Sequence, residues 1–373
     1  MRDCWGCPVA DNEILQAVRT FLDRGWTGER RVTALEGDGQ DDRLFSQAAD
    51  QGWFALTAPE SEDGLGLHPS DLVPMFHLFG ERLIPGPMLE QMLLPGLLLG
   101  STPGAAAAEA LRGAALGERR VALVDAGATT AWRSTIGSVE VAGDRLTGAV
   151  NLVRSGSHAD VFVVIAGGTG QGAAHVVIVD AARPGVNVVP HRSGDPASAY
   201  ARVQFDEVPL EPGDLVATGE PAIELSRHLQ SWMRVLISAT LAGIGRRMLD
   251  LGVDFVKHRE QFGRPVGSFQ AVKHIAAGVA QRVIMLECFT EAVAEDSRIQ
   301  DLDTFELASY TLKANASEVA RTACEDALQM HGGIGMTYEY ELHWWYKHAL
   351  ALRTWYGDER ESAIEVGRRK LSA

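Results

Sequence analysis

Two helix ends in the C-terminal half of the chain carry side chains suited to binding a phosphate-bearing ligand. At the first, REQFGRPVGSFQ follows a long apolar-periodic segment, so Arg259 and Phe262 fall where glycine and proline end the helix. A guanidinium can bind a phosphate through two parallel N–H bonds, and an aromatic ring can cover a planar ligand. Gln261, between them, is a further candidate contact.

The second helix end, QMHGGIGMTYEY, combines polar side chains with a glycine-rich turn. Gln329 and His331 stand next to Gly332 and Gly333, and all four are candidate contacts. A turn without β-carbons lets backbone N–H groups approach a ligand closely. Taken alone, the glycines would also fit a simple helix C-cap. Two such ends in one helical region favour a cofactor site.

The elements that must position these residues fall into three successive regions. Apolar residues at three- and four-residue spacing predict helices at 12–22, 42–52, 70–82 and 104–118. Short alternating segments bounded by turn residues predict strands from about 119 to 216. Long amphipathic helices are predicted at 223–258, 267–295, 303–331 and 338–370. The predicted fold is therefore α+β, with an N-terminal helical domain (1–118), a middle antiparallel β domain (119–216) and a C-terminal four-helix bundle (217–373).

Composition excludes several classes of partner. The chain of 373 residues has 34 Lys and Arg against 49 Asp and Glu, a formal net charge of −15, which argues against nucleic-acid binding. The longest apolar run, 92–100, is broken by Pro95 and is too short for a membrane span. The N-terminus lacks the apolar region of an export signal, so a cytoplasmic location is expected.

Two weaker motifs each allow a functional interpretation and a purely structural one. Cys4 and Cys7 form a C-x-x-C that would suit redox or zinc chemistry, but no second ligand pair accompanies it, and two reduced thiols near the terminus are the alternative. GTGQGA at 168–173 matches a dinucleotide fingerprint. A strand follows it rather than the helix that this motif requires, so a hairpin loop is predicted. No metal site is predicted.

Several stretches, in the same order, resemble the flavin-dependent acyl-CoA dehydrogenase family over nearly the whole chain. They are APE and GLG between 58 and 66, FDEVPL at 205–210, REQFGRPVGSFQ at 259–270 and QMHGGIGMTYEY at 329–340. The resemblance implies the helical, β and helical order described above, FAD as cofactor, an acyl-CoA thioester as substrate and a separate electron-transfer partner. It also implies tetramers formed through the C-terminal bundles, with either identical or mixed subunits.

In that family, the arginine and phenylalanine of R-x-x-F-G, with the glutamine and glycines of Q-x-x-G-G, reach the FAD of a neighbouring subunit. The resemblance assigns these roles to Arg259, Phe262, Gln329 and Gly333. The family reaction needs a carboxylate that removes the α-proton while a hydride passes to the flavin.

The carboxylate is missing from both places where the family carries it. In the first, RTWYGDERES stands for Y-E-G-T, so Tyr356 replaces the glutamate. In the second, on the first bundle helix, stand Met233 and Arg234. Asp358 is the nearest acid and the candidate for a displaced base, but it also fits a capping box. Tyr356, with an ordinary pKa near ~10, would be a poor base.

The β region departs from the family as well. The T-E-P-x-x-G-S-D loop corresponds to VDAGATTAWRST, and the aromatic-Ile-Thr-Asn strand beside the isoalloxazine corresponds to 152–155, LVRS. The leading hypothesis is therefore a subunit of a mixed acyl-CoA dehydrogenase complex, which contributes to FAD binding while a partner supplies the base. A homomeric enzyme with a displaced base or a repurposed reaction, and a scaffold without flavin, are the alternatives.

Overall fold

The computed structural model describes residues 13–126, 137–168 and 174–372. Cys4, Cys7, the T-E-P-like loop beyond Ala126 and most of GTGQGA lie outside the described residues. The predictions made for them stay predictions.

The N-terminal region is built from helices that bury a shared apolar core. They are α1 (Glu13–Gly25), α2 (Gly28–Glu36), α3 (Asp42–Asp50), α4 (Val73–Arg82), α5 (Met88–Leu99) and α6 (Ala105–Ala115). The four helices predicted here form, with ends that differ by a few residues. Helix α5 is apolar on nearly all sides and buried along most of its length, as expected for a helix surrounded by other elements.

The middle region is one eight-stranded sheet with the order β6-β7-β3-β2-β4-β5-β8, and β1 pairs with β4. The strands are β1 (Val121–Asp125), β2 (Gly137–Ala142), β3 (Arg145–Arg154), β4 (Val161–Gly168), β5 (Ala174–Asp180), β6 (Val186–His191), β7 (Tyr200–Pro209) and β8 (Leu215–Thr218). The sheet is mixed rather than wholly antiparallel, because β4 runs parallel to both β1 and β2. Alternation of apolar residues predicts strands but does not give their relative direction.

The C-terminal region contains long helices packed side by side. They are α7 (Glu220–His258), α8 (Gln270–Asp296), α9 (Leu302–His331), α10 (Leu342–Thr354) and α11 (Glu359–Ser372). The predicted fourth helix, 338–370, is wrong as one element: it breaks into α10 and α11 because Tyr356 and Gly357 both have positive φ. Among the described residues, no helix is long and apolar enough to cross a bilayer.

The N-terminal region contacts the bundle through glycines at the crossing of α4 and α7. A β-carbon on Gly243 would lie 1.9 Å from the His77 carbonyl oxygen, and one on Gly80 would lie 2.0 Å from that of Thr240. The two backbones therefore touch directly. The Gly80 carbonyl also accepts a hydrogen bond from the Trp345 indole at 3.0 Å, which ties α10 to the same point.

Gly243→Ala is expected to lower the free energy of unfolding by about 2–3 kcal/mol, because the added methyl must push two helix backbones apart. Gly367→Ala is the matched control, since a β-carbon on that helical glycine meets nothing within 4 Å. The control should raise stability by roughly 0.5–1 kcal/mol through helix propensity. Urea unfolding followed by circular dichroism measures both, and equal effects of the two changes would contradict the close crossing.

Candidate functional site

The first predicted helix end is a tight hairpin that follows α7. Arg259 caps the helix, and its N–H donates to the Phe255 carbonyl at 2.9 Å. Two short strands follow, β9 (Glu260–Gln261) and β10 (Arg264–Pro265), and they pair antiparallel. Phe262 and Gly263 form the two-residue loop, with φ of 54° and 74°. Positive φ at both positions is the type I′ geometry that fits the twist of a hairpin.

Phe262 is held in an unfavourable environment by this hairpin. Its side chain is 93% exposed, although phenylalanine is strongly apolar. A left-handed backbone is also costly for a residue with a bulky side chain, and such strain concentrates at functional sites. In the isolated chain, neither the ring exposure nor the backbone conformation is favourable. Both features are explained if the ring contacts another molecule.

The second helix end is an open turn after α9. Gly332 ends the helix with φ of 64°, and residues 332–336 form a short 3₁₀ turn. Gln329, Gly332 and Gly333 are exposed. A β-carbon on either glycine would meet no atom of the chain within 4 Å, so their backbone is open to an outside ligand.

The two helix ends lie side by side. The Phe255 ring, one turn before Arg259, stacks on the His331 imidazole with centroids 4.4 Å apart. Tyr340 packs on the same imidazole at 4.6 Å. One turn earlier, a β-carbon on Gly252 would lie 2.3 Å from the Met330 methyl, so α7 and α9 are in close contact there. Residues distant in sequence thus form one surface.

His331 is the predicted contact whose side chain does not reach that surface. It is 4% exposed, and its Nδ1–H donates to the Ala327 carbonyl at 2.7 Å. Its Nε2 is buried and has no hydrogen-bond partner within the described part of the chain. Burial lowers the pKa of His331 below its ordinary value, which keeps the ring neutral. The imidazole supports the glycine turn from behind and does not project outward with the other candidates.

The exposed residues suit a flavin nucleotide. Arg259 is exposed, and across residues 13–126, 137–168 and 174–372 its guanidinium makes no hydrogen bond or ion pair. A free guanidinium can bind a pyrophosphate, the Phe262 ring can cover an aromatic ring, and the glycine turn lets a ligand approach the backbone closely. Gln261 is exposed too, with its amide donating to the Glu260 carbonyl at 2.7 Å. This outward surface therefore fits FAD.

The positions where the family has its catalytic glutamate hold no carboxylate in this chain. Tyr356 is buried, and burial raises the pKa of its phenol well above the ordinary value, so the group stays protonated. Met233 is buried among apolar side chains. Arg234 is buried beside them, with its guanidinium 3.5 Å from the Tyr310 ring centroid. None of the three can accept an α-proton.

Asp358 acts as a helix cap in the structure. Its carboxylate accepts the backbone N–H of Arg360 at 3.0 Å and of Glu361 at 2.8 Å. The Glu361 carboxylate lies 3.4 Å from the Asp358 backbone N–H in return, which is the reciprocal pattern of a capping box. The carboxylate is therefore engaged at the start of α11.

A buried ion pair at the junction of the N-terminal helices and the sheet was not predicted. Glu90 on α5 accepts two hydrogen bonds from the Arg154 guanidinium on β3, at 2.9 and 2.8 Å. Burial is the largest effect on Arg154 and would lower its pKa, but Glu90, Tyr200 and Asp195 together outweigh it and the net shift is upward. Burial raises the pKa of Glu90, although Arg154 acts in the opposite direction. The available signal was a single charged residue in each of two apolar segments, MLEQMLLPG and NLVRSG. Sequence alone does not pair two such charges.

The comparisons support an oxidoreductase of the acyl-CoA dehydrogenase type. Residues 225–371 match the family described as Acyl-CoA dehydrogenase, C-terminal domain. The chain is 29% identical over 347 residues to acyl-CoA dehydrogenase IpdE2 of Mycobacterium tuberculosis, covering 92% of both chains. It is 29% identical over 308 residues to FadE34 of that organism, 82% of this chain but 39% of that longer relative. The chain is thus similar to acyl-CoA dehydrogenases over nearly its whole length, and its C-terminal helices match that family's C-terminal domain.

Solved structures share the fold. An acyl-CoA dehydrogenase structure from Mycobacterium smegmatis has a TM-score of 0.86 at 22% identity and covers 96% of this chain and 97% of that one. The ChsE4-ChsE5 complex from Mycobacterium tuberculosis gives 0.84 at 23% identity, with 97% and 98% covered. PigA, solved with FAD and proline, gives 0.84 at 17% identity, with 96% and 97% covered. At these identities the likeness concerns the fold.

Proposed function

We propose that the chain is one subunit of a mixed acyl-CoA dehydrogenase complex and binds the FAD held by a partner subunit. The observation that carries the proposal is a contrast between exposed residues that suit a cofactor and buried residues that cannot act as the base. Arg259, Phe262 and Gln329 are exposed and point away from the chain's own core. The positions of the family's base hold Tyr356 and Met233, both buried and neither a carboxylate. The partner therefore supplies the base and the substrate cleft.

In this proposal, FAD bound in the partner would supply the hydride acceptor for α,β-oxidation of an acyl-CoA thioester. This chain's residues act on binding and orientation only. The Arg259 guanidinium would donate to the phosphates, Phe262 would shield an aromatic ring from water, and the turn at Gly332 and Gly333 would let the cofactor approach the backbone without obstruction by a β-carbon. A separate acceptor protein would take up the electrons. One of the solved structures that share this fold, the ChsE4-ChsE5 complex, is itself a two-component assembly, which supports a mixed complex.

Arg259→Ala is expected to weaken FAD retention by the complex about tenfold or more, because a hydrogen bond to a charged group contributes roughly 1.5–3 kcal/mol. Arg259→Lys should recover only part of it, since an ammonium lacks the planar fork. Arg43→Ala, an exposed arginine on α3, is the control. Absorbance at the flavin and protein bands after gel filtration measures retention. Unchanged FAD content in the Arg259→Ala complex would refute the proposal.

Phe262→Asn is expected to change stability and cofactor binding in opposite directions. Asparagine tolerates positive φ and favours the type I′ turn, so the isolated chain should become about 1 kcal/mol more stable. The complex should bind FAD more weakly, because the covering ring is lost. Thermal unfolding of the chain and FAD titration of the complex give the two readouts. A variant that is more stable and binds FAD as tightly as before would show that the ring has no role at the cofactor.

The two alternatives make different predictions for flavin content. A homomeric enzyme with Asp358 as its base would hold FAD when the chain is expressed alone. A scaffold would hold none even beside a partner. Expression of the chain alone and together with the product of a neighbouring gene, followed by measurement of the flavin-to-protein ratio, separates them. The mixed complex is supported if flavin is retained with the partner present and is low without it.

A further inference from the structure

The junction between the β region and the helices is filled by polar side chains that bond to one another. Glu90 and Arg154 are 4% and 8% exposed, and their bidentate contact joins α5 to the end of β3. Arg154 is paired across the sheet with Tyr200 on β7. The contact is thus held on one side by a buried helix and on the other by a strand in the middle of the sheet.

Aromatic side chains from the break between α10 and α11 close this cluster. The Trp355 ring stacks on Tyr200, with centroids 6.0 Å apart, and its indole N–H donates to the Tyr200 hydroxyl at 3.3 Å. Tyr356 follows, is buried, and its backbone carbonyl lies 3.4 Å from the Arg234 Nε. The residues at the family's base position therefore pack onto the same cluster as the ion pair.

The buried pair lies beside the strand at 152–155, where the Ser155 hydroxyl is also buried and has no hydrogen-bond partner among the described residues. In the family pattern, the strand at 152–155 lies beside the isoalloxazine, and Arg154 stands where that pattern has threonine. Its Nε and one Nη nitrogen are engaged by Glu90. Moving either partner away would leave an unpaired charge in a buried site, which is strongly unfavourable. The pair is therefore a fixed part of the fold, not a side chain that can swing aside.

We propose that the Glu90–Arg154 ion pair occupies the place of the isoalloxazine in this chain, which therefore contributes to a neighbour's FAD but holds none of its own. The proposal rests on the proposed function and refines it, because it states which subunit lacks a cofactor and which residues exclude it. It can fail while the proposed function stands, since a complex could use Arg259 across the interface and still bind FAD in every subunit.

The first test is the flavin content of the purified mixed complex. If subunits are present in equal numbers, FAD should amount to about half of the total subunit count, because only the partner's sites are filled. Quantitative amino-acid analysis and flavin absorbance after denaturation give the ratio. One FAD per subunit would overturn this inference without touching the role of Arg259. No FAD at all would instead refute the proposed function.

The second test uses riboflavin, which carries the isoalloxazine without the phosphates that Arg259 would bind. The isolated wild-type chain should not bind it in equilibrium dialysis. The double variant Glu90→Ala with Arg154→Thr removes the pair and opens space, so it should bind riboflavin saturably. The double variant Glu90→Met with Arg154→Met removes the same charges but keeps the volume filled, and it should not bind.

Each outcome bears on the inference. Saturable binding by the wild-type chain would show that the site is open. A folded Glu90→Ala, Arg154→Thr variant that does not bind would show that other residues exclude the ring, and the assignment to the ion pair would be wrong. Circular dichroism establishes folding for both double variants. If the opened variant does not fold, the flavin ratio of the wild-type complex decides.

Discussion

The isolated chain should oxidise acyl-CoA thioesters at least about 10²-fold more slowly than the complex with its partner, because a positioned general base contributes roughly 10²–10⁴-fold. The side chain at the base position is Tyr356, and burial raises the pKa of its phenol well above the ordinary value. A protonated phenol does not remove an α-proton. Turnover of short, long and bulky acyl-CoA substrates with an artificial electron acceptor measures the difference.

The displaced-base alternative can be tested in the same assay. Asp358→Asn removes the carboxylate but keeps a good helix cap, so it separates chemistry from stability. Tyr356→Phe removes the phenol hydroxyl. Suppose that the chain alone oxidised acyl-CoA rapidly, that Asp358→Asn abolished this activity and that Tyr356→Phe kept it. The proposal that a partner supplies the base would then be refuted. Activity that survived both changes would leave this chain without an identified base.

Placing a carboxylate back at either family position should not make the chain active by itself. A glutamate introduced by Met233→Glu would be buried among apolar side chains, which would raise its pKa and keep it protonated rather than leave it as a base. Tyr356→Glu would place a charge next to the Glu90–Arg154 pair. In both cases the flavin side of the cleft would remain filled.

Sequence reasoning was effective where function depends on local chain geometry. The end of α7 near Arg259 and the glycine turn at Gly332 are formed by residues within a few positions of each other, so their motifs carry the information. The hairpin was not predicted: Phe262 was expected on the last turn of the helix, because glycine and proline indicate that a helix ends but not how the chain continues. The two helix ends are close because α7 packs on α9. Apolar periodicity predicts that these helices pack in a bundle. The buried position of His331 was beyond this reasoning, because the end of a helix can turn either face inward.

Features that depend on residues far apart in sequence could not be predicted. Glu90 and Arg154 are 64 positions apart, and a lone charge in an apolar segment is equally consistent with an exposed edge. The interruption between α10 and α11 at Tyr356 could not be predicted for a related reason. A positive φ at an aromatic residue is intrinsically unfavourable, so only contacts from other helices can impose it. One of those contacts comes from Lys313.

Lys313 lies on α9 and is fully buried. It forms hydrogen bonds to the segment that connects α10 and α11. Its ammonium donates to the Ser317 hydroxyl at 2.8 Å and to the carbonyls of Arg353 and Gly357 at 2.8 and 2.7 Å. Burial is the main cause that lowers the pKa of Lys313 from 10.5 to about 7, while the nearby Asp358 carboxylate acts in the opposite direction. The folded chain therefore releases this proton near neutral pH, and the unfolded chain keeps it until the pH is far higher.

The stability of the wild-type chain should accordingly rise with pH above neutrality. Between these two pKa values the unfolded state binds more protons than the folded state, so the free energy of unfolding increases with pH. From pH 7 to pH 9.5 this contribution amounts to about 3 kcal/mol, given a folded pKa of about 7. Lys313→Met should lack it, whereas Lys273→Met, at an exposed lysine on α8, should keep it. Urea unfolding at several pH values gives the three profiles. Parallel profiles for wild type and Lys313→Met would mean that the three oxygen acceptors hold the proton on Nζ as firmly as water does, and burial would then have no net effect on this lysine.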